Sequence, residues 1–234
     1  SKRRVGNLLP TLRLLNAEQK ETLSNIVALS VLPVGSNNFS DMFIAQTVAL
    51  NAVNNNAVEM VFNKKKEKLY VLDRDTYNSN KPLIYVTNPD DYVQGKENQV
   101  LVIDGTFTGE NRFGVNPPQM PWHKPIPDGE YDILSNSKET DPRHSDWYRV
   151  DKVDSKPYND KDDFTGRSGF RLHLGFESHG CVTITNNDTN KRQYQNLRDM
   201  LSRTSTTTVP NKAGIRGTLG INGSEKNYGR LTVK

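Results

Sequence analysis

The sequence contains one cysteine, Cys181, and two of its four histidines, His173 and His179, lie shortly before it. A thiol attacks a carbonyl as its thiolate, and near neutral pH an imidazole is the usual base that generates it. Gly180 directly precedes the cysteine, and a residue without a Cβ leaves the amides of residues 180 and 181 free to face a developing oxyanion. These residue types predict nucleophilic catalysis, with Cys181 as the nucleophile and His173 as the base.

Two other interpretations of these residues stay open. A single cysteine in an apolar strand is often an inert core residue, and a nearby histidine is often only hydrogen bonded. Zinc is the second alternative, since thiolate and imidazole are its common ligands, although the spacing matches no common structural site. Its ligands would be His173, His179 and Cys181, with His123 or His144 as the fourth. Thiol chemistry itself requires no cofactor, and none is expected.

Short apolar segments must position these residues. From Val58 onward the hydrophobic residues alternate with a period of two, and Gly, Pro, Asn and Asp interrupt them, which favours a sandwich or barrel. One helix is predicted after a cap at Asp188 or Thr189, with Tyr194, Leu197 and Leu201 on one face. The predicted strands, after a hairpin from Val58 to Leu72, are 83–87, 100–104, 130–134, 148–153, 169–174, 181–185, 206–209, 215–221 and 228–233. His173 thus ends one strand and Cys181 begins the next.

The first part of the chain has a different pattern. Asn16 and Gln19 form a capping-box pair, and a helical period of apolar residues follows until Pro33. Ser40 begins a second such segment, which ends at the asparagine run 54–56. We therefore divide the chain into a small helical accessory segment, 1–57, and a mostly β catalytic domain, 58–234.

Composition excludes several classes of protein. The 234 residues include 34% hydrophobic residues and no run of the roughly 20 apolar residues that a membrane span requires. The single cysteine rules out a disulfide within the chain. The net charge is +4, with a lysine cluster at 64–66 that we interpret as a solvated hairpin tip. Since no nucleic-acid-binding motif accompanies this charge, no nucleic acid partner is expected. The chain opens on no secretory signal pattern, so its export route stays open.

The residues around the cysteine resemble the L,D-transpeptidase (YkuD-type) catalytic domain. Its signature is a histidine at a strand end, followed by Ser-His-Gly-Cys and an apolar residue, as in His173 and then Ser178-His179-Gly180-Cys181-Val182. The segment 124–133 is similar to the Pro-x-Gly-x-Tyr-x-Ile segment that precedes the family's site. The resemblance covers roughly residues 58–234 and implies a mostly β sandwich with one or two helices.

The resemblance also implies roles for individual residues. Cys181 is the nucleophile, His173 is the base, and the backbone carbonyl of Leu174 orients the imidazole. The amides of Gly180 and Cys181, with His179 nearby, form the oxyanion pocket. The implied substrate is a peptidoglycan stem peptide, cleaved or acylated at the L,D bond of diaminopimelate.

Three departures from the family pattern refine this expectation. Leu174 stands between the histidine and Gly175, the connection from histidine to cysteine is short, and Thr183 replaces an arginine. In its place Arg167 or Arg171, with Ser178, is predicted to bind the substrate. The alternative for both arginines is a surface charge or a strand-edge salt bridge, which is favoured for Arg171. These features bring the chain nearest the L,D-transpeptidase-like interbacterial toxin effectors that act as L,D-carboxypeptidases.

The expected activity is therefore L,D-carboxypeptidase action with D-amino-acid exchange. A protein of this type would be secreted or delivered to the bacterial periplasm, with an immunity protein or a secretion-system carrier as its partner. The alternatives are a cross-linking L,D-transpeptidase and a non-catalytic cell-wall-binding module of the same fold.

Overall fold

The computed structural model describes residues 57–113, 120, 122–137 and 139–234. The predicted helical segment 1–57 lies outside these residues except for its last position. The described residues contain two α-helices, α1 (Asp188–Arg203) and α2 (Gly214–Thr218). Their eleven strands are β1 (Val58–Asn63), β2 (Lys68–Asp73), β3 (Ile84–Val86), β4 (Gln99–Asp104), β5 (Thr106–Phe107), β6 (Gly129–Leu134), β7 (Tyr148–Lys152), β8 (Arg171–Gly175), β9 (Val182–Thr185), β10 (Thr207–Pro210) and β11 (Ser224–Val233).

All eleven strands belong to one mixed sheet, in the order β3-β4-β2-β1-β11-β6-β7-β8-β9-β5, with β10 beside β11. The pairs β1/β11, β3/β4 and β8/β9 are parallel, and the remaining pairs are antiparallel. This arrangement confirms the mostly β prediction and is consistent with a sandwich that has few helices. Neither helix of the described part is long and apolar enough to span a membrane.

The core follows the predicted alternation and helical face. In α1 the side chains of Tyr194, Leu197 and Leu201 are buried against strand residues such as Leu172 and Ile184. Helix α1 begins one or two residues earlier than predicted, because Asn187, and not Asp188 or Thr189, is the N-cap and its side chain accepts the Asn190 amide. The lysine cluster forms the turn of the β1–β2 hairpin, where Lys65 and Lys66 are exposed as predicted.

The predicted strand 215–221 is wrong, since residues 214–218 form helix α2. The prediction assumed that the apolar residues are buried, yet Ile215 is 82% and Leu219 67% exposed. Gly217 lies against the main chain of Lys212, where a Cβ would be 2.2 Å from the carbonyl carbon. Gly214, at φ +62°, takes the left-handed conformation just where the helix begins, so the glycines bend this segment away from an extended path. Strand β5 was not predicted because it has only two residues.

The strands that carry the candidate site are β8 and β9. They are parallel neighbours in which His173 pairs with Thr183 and Leu172 pairs with Val182. Strand β5 covers the other edge of β9. Side chains of paired residues in a parallel ladder lie on the same face, and residues two apart on one strand share that face. His173, Thr183 and Cys181, which immediately precedes β9, therefore belong to one face of the sheet.

Candidate active site

His173 is a buried imidazole held at both nitrogens. Its Nδ1 lies 3.1 Å from the Leu174 carbonyl oxygen, which can only accept a hydrogen bond, so Nδ1 carries the hydrogen. The other nitrogen, Nε2, is then unprotonated and accepts a hydrogen bond from Thr183 Oγ1 at 3.1 Å. The contact with the Leu174 carbonyl is the one that the sequence resemblance implied. It fixes the tautomer that a general base needs.

Trp147 stacks on the imidazole of His173, with ring centroids 4.0 Å apart and an interplanar angle of 18°. His144 lies on the other face of the indole, with centroids 3.8 Å apart. Tyr194 of α1 donates to the Asp146 carbonyl at 2.6 Å and so ties this segment to the helix. Burial lowers the pKa of His173 from 6.5 to about 4, so the imidazole is neutral at pH 7.

The thiol of Cys181 lies where β9 begins, and Sγ is 3.9 Å from the Gly169 carbonyl oxygen. Although the residue is only partly buried, desolvation is the largest effect on the thiol and raises its pKa. The Arg171 amide N–H, bonded to the sulfur, and the positive charges of Arg171 and Arg167 act in the opposite direction. In this geometry the pair consists of a neutral thiol and a neutral imidazole, and each makes its hydrogen bonds to another group.

Gly180 is at φ +122°, and its missing side chain leaves room for the guanidinium of Arg167. A Cβ there would lie 2.1 Å from an Arg167 terminal nitrogen and 3.0 Å from the Lys124 carbonyl oxygen. Arg167 donates to the carbonyl oxygens of Lys124 at 2.7 Å, Pro125 at 2.6 Å and His179 at 3.2 Å. Arg167 therefore joins the segment 122–125 to the turn that carries the thiol.

Ser178 shapes the same turn from the inside. Its hydroxyl donates to the Cys181 carbonyl oxygen at 2.7 Å and accepts the Gly180 amide at 3.3 Å. The residue is only 1% exposed, so its hydroxyl is turned towards the main chain. A direct contact of Ser178 with substrate stays a prediction.

Arg171 belongs to a network of charges beneath the site. Its guanidinium binds both carboxylate oxygens of Asp160, at 2.7 and 3.0 Å. Asp160 also lies 3.4 Å from the buried Arg149, which in turn contacts Asp151 at 3.3 Å. Desolvation raises the pKa of Asp151 to about 6. Arg171 therefore forms a structural salt bridge, which is one of the two roles that the sequence allowed for it. The other role, substrate binding, stays a prediction.

A third group of side chains surrounds the exposed imidazole of His179. Its Nε2 is 3.2 Å from Glu177 Oε1, and the same oxygen is 3.0 Å from Nε2 of His123. Trp122 approaches His179 edge-on, with centroids 6.4 Å apart. The hydrogen bond from His123 is the largest effect on the Glu177 carboxyl and lowers its pKa, and the hydrogen bond from His179 acts in the same direction.

Within the described residues, His123, Glu177 and His179 bring three possible metal-ligand atoms together. This set differs from the zinc ligands considered from the sequence, since it contains neither His173 nor Cys181. The Met120 amide donates to Nδ1 of His123 at 2.9 Å, which places the imidazole proton on Nε2. When a histidine binds a metal through one ring nitrogen, the N–H of its other ring nitrogen donates a hydrogen bond to an acceptor. The second nitrogen of His123 instead accepts one. The arrangement therefore fits hydrogen bonding to the Glu177 carboxylate.

Residues 106–212 match the family model described as the Tlde1 domain. This match indicates a bacterial effector domain in that part of the chain. The matched segment begins at β5, ends before α2 and contains every site residue predicted from the sequence. No curated protein and no solved structure matches the chain.

The structure brings six predicted site residues together around the cysteine turn, which are Arg167, Arg171, Ser178, His179, Gly180 and Cys181. His173 lies on the neighbouring strand β8, and its ring nitrogens bond Leu174 and Thr183. Sequence reasoning did not assign Trp147, Glu177 or Asp160 to the site. Glu177 directly precedes the Ser-His-Gly-Cys tetrapeptide, and its proximity to His179 was a usable signal. Trp147 and Asp160 reach the site from the loops around β7, and nothing in their local sequence marks them.

Proposed function

We propose that this protein is a cysteine acyl-transfer enzyme that acts on peptidoglycan stem peptides. The observation that carries the proposal is the state of His173. Its Nδ1 is bonded to the Leu174 carbonyl, so Nε2 is the basic nitrogen, and the register of β8 with β9 assigns His173 and Cys181 to one face of the sheet. The Tlde1 match and the Ser-His-Gly-Cys resemblance support the substrate class.

The reaction begins from the neutral pair. Nε2 of His173 takes the thiol proton while sulfur attacks the carbonyl of the L,D bond. For this, the thiol rotates towards the ring and the Thr183 hydroxyl releases Nε2, a rearrangement that is common between resting and reacting geometries. The Cys181 amide and His179 stabilise the oxyanion. The C–N bond then breaks, the departing D-amino acid takes the proton from His173, and an acyl thioester remains.

The thioester partitions between water and an amine, and we expect water to prevail. Attack by water gives L,D-carboxypeptidase action and trims tetrapeptide stems to tripeptides, whereas a free D-amino acid gives exchange. Cross-linking requires a second groove that holds a long acceptor stem and excludes water. The connection from His173 to Cys181 is short, and Thr183 occupies the position of an arginine. Trimming removes donors for cross-links, which would suit an effector delivered to the periplasm.

The test is mass spectrometry of tetrapeptide and pentapeptide muropeptides incubated with the protein and with its Cys181→Ala variant. We expect tripeptide products from the tetrapeptide with the unchanged protein and none with the variant. Exchange products should form when a D-amino acid is added. A larger yield of cross-linked dimers than of tripeptides would reject the carboxypeptidase assignment.

One observation favours a second candidate, a cell-wall-binding module without catalysis. In the resting geometry Thr183 occupies Nε2 of His173, and burial raises the pKa of the Cys181 thiol. For such a module, sedimentation with intact peptidoglycan would be the same for Cys181→Ala and the unchanged protein, with no product from either.

A further inference from the structure

The connection that carries Cys181 lies between two segments of the loop that precedes β6. On one side the Ser178 amide donates to the Glu110 carbonyl at 2.7 Å, and Asn111 forms a bridge with Glu177. On the other side lies the segment 122–125, which we call the wall. Among the described residues, this wall is the part of the loop nearest to the Gly180 turn.

The wall is anchored at its base by main-chain packing. The Ile126 amide donates to Thr108 Oγ1 at 2.9 Å. Gly109, at φ +65°, lies so close that a Cβ would be 2.3 Å from the Pro125 nitrogen. Arg167 holds the carbonyl oxygens of Lys124 and Pro125. These contacts fix the end of the wall that leads into β6.

The other end of the wall is joined to the cysteine connection by a single carboxylate. Glu177 Oε1 receives hydrogen bonds from His123 in the wall and from His179 in the Ser-His-Gly-Cys motif. The His123 side chain is buried, whereas Trp122 is 52% exposed and its ring lies beside His179. The exposed indole thus lies beside His179, and the main chain of the exposed Lys124 lies beside Gly180.

We propose that the wall 122–125 forms one side of the stem-peptide cleft and that Glu177 is the positioning residue that latches it, through His123, to the cysteine connection. This inference rests on the proposed function for the identity of the substrate. A peptide with several carboxylates and amides needs a fixed surface beside the thiol to be held for attack. Trp122 and Lys124 offer an apolar face and a cation for that purpose. Glu177 acts through His123 and His179 and does not touch the substrate.

Two carboxylates give a matched comparison. Glu177 and Glu110 are 40% and 42% exposed, and each is paired. Glu110 bonds Arg112 at 2.9 Å, away from the wall. Glu177→Gln weakens the charge-assisted hydrogen bonds and Glu177→Ala removes them, whereas Glu110→Gln makes the same chemical change outside the latch.

The first measurement is amide hydrogen exchange, which does not depend on activity. The His123 and Lys124 amides, bonded to the carbonyls of Met120 and Trp122, should exchange at least about fivefold faster in Glu177→Ala. The Ile126 amide at the base should keep its rate, and Glu110→Gln should change none of the three. Unchanged exchange at residues 123 and 124 would overturn the latch.

The second measurement is affinity for a tetrapeptide muropeptide. We expect KM to rise about threefold in Glu177→Gln and about tenfold in Glu177→Ala, while kcat falls by a smaller factor than KM rises and the alkylation of Cys181 by iodoacetamide changes less than about twofold. Calorimetry in the Cys181→Ala background should show the same loss of affinity without any chemistry. If the unchanged protein binds the muropeptide but does not turn it over, the proposed catalysis fails and the wall remains supported. Faster exchange with unchanged affinity, or no muropeptide binding to Cys181→Ala, would overturn the wall as a side of the cleft.

Discussion

The Thr183→Val variant tests whether the Thr183 hydroxyl competes with the Cys181 thiol for Nε2 of His173. The hydroxyl of Thr183 donates to Nε2 of His173 at 3.1 Å, and the two residues are 0% and 4% exposed. Valine has nearly the same shape and lacks the donor. The substitution therefore frees the basic nitrogen with little change in packing, so that the thiol of Cys181 becomes its available partner.

The magnitude follows from the burial of both groups. A net hydrogen bond contributes about 1 kcal/mol, and leaving a buried acceptor without a donor costs about 1–3 kcal/mol. If the Cys181 thiol takes over Nε2, the variant loses only about 1 kcal/mol of stability. In a Cys181→Ala background no thiol is present, and the same substitution should cost about 2 kcal/mol. Removal of a competitor worth about 1 kcal/mol should make the thiol about fivefold more reactive, since a factor of ten corresponds to about 1.4 kcal/mol.

The assay is alkylation by iodoacetamide at pH 7, followed by intact-mass spectrometry. Cys181 is the sole cysteine of the chain, so the mass shift reports on this thiol alone. Thr183→Ser is the matched control, because it keeps the hydroxyl and removes the methyl group. We expect about fivefold faster alkylation in Thr183→Val and an unchanged rate in Thr183→Ser. Urea denaturation of the four combinations with and without Cys181→Ala gives the coupling between the two side chains.

A slower alkylation of Cys181 in Thr183→Val would refute the competition between hydroxyl and thiol. If Cys181 is alkylated more slowly in Thr183→Val than in the unchanged protein, but not in Thr183→Ser, the hydroxyl assists proton transfer and does not compete for Nε2. Equal stability losses in the two backgrounds would show that the thiol does not replace the hydroxyl.

Four further predictions concern the same domain. Cys181→Ala and His173→Ala should each lower muropeptide turnover at least about a thousandfold while circular dichroism stays unchanged, because the pair acts as a unit. The unfolded chain protonates His173 below about pH 6.5 and the folded protein only below about 4, so its contribution to stability is complete above pH 6.5 and is lost as the pH falls to 4. Urea titrations should show that the unchanged protein loses about 2–3 kcal/mol more over this range than His173→Gln, and parallel curves would contradict this. Arg167→Lys cannot bond three carbonyl oxygens in the same plane, so kcat should fall about tenfold, and an unchanged kcat would exclude a positioning role. Deletion of residues 1–54 should leave turnover within about tenfold, and a folded but inactive truncation would mean that this segment builds the cleft.

The strands around the site could be predicted because their residues follow one physical rule. In β8 and β9 apolar side chains alternate with polar ones, and Cys181 stands directly before β9. The prediction that His173 ends its strand is wrong, because β8 continues through Leu174 to Gly175. The segment 215–221 broke the rule, since its apolar residues are exposed and its glycines bend the chain. An apolar segment forms a buried strand only when its backbone can follow an extended path, and three glycines between 214 and 220 prevent that.

The contacts that hold the site are less accessible from sequence, because they join residues far apart in the chain. Asp160 binds Arg171 and lies near Arg149, and its own φ of +60° is a left-handed conformation that no local pattern marks. The same is true of Trp147, whose stacking on His173 depends on how β7 and β8 are paired.

The two arginines show how tertiary contacts change what a charge near a nucleophile does. From sequence, Arg167 and Arg171 were the cations available for a substrate carboxylate. In the structure Arg171 is neutralised by Asp160, while Arg167 donates to three carbonyl oxygens and keeps its net charge, because carbonyls do not neutralise it. Both charges still favour the thiolate of Cys181, but the negative Asp160 opposes them. Within the described part of the chain Arg167 forms no salt bridge with a carboxylate, whereas Arg171 does, and a contact of Arg167 with a substrate carboxylate stays a prediction.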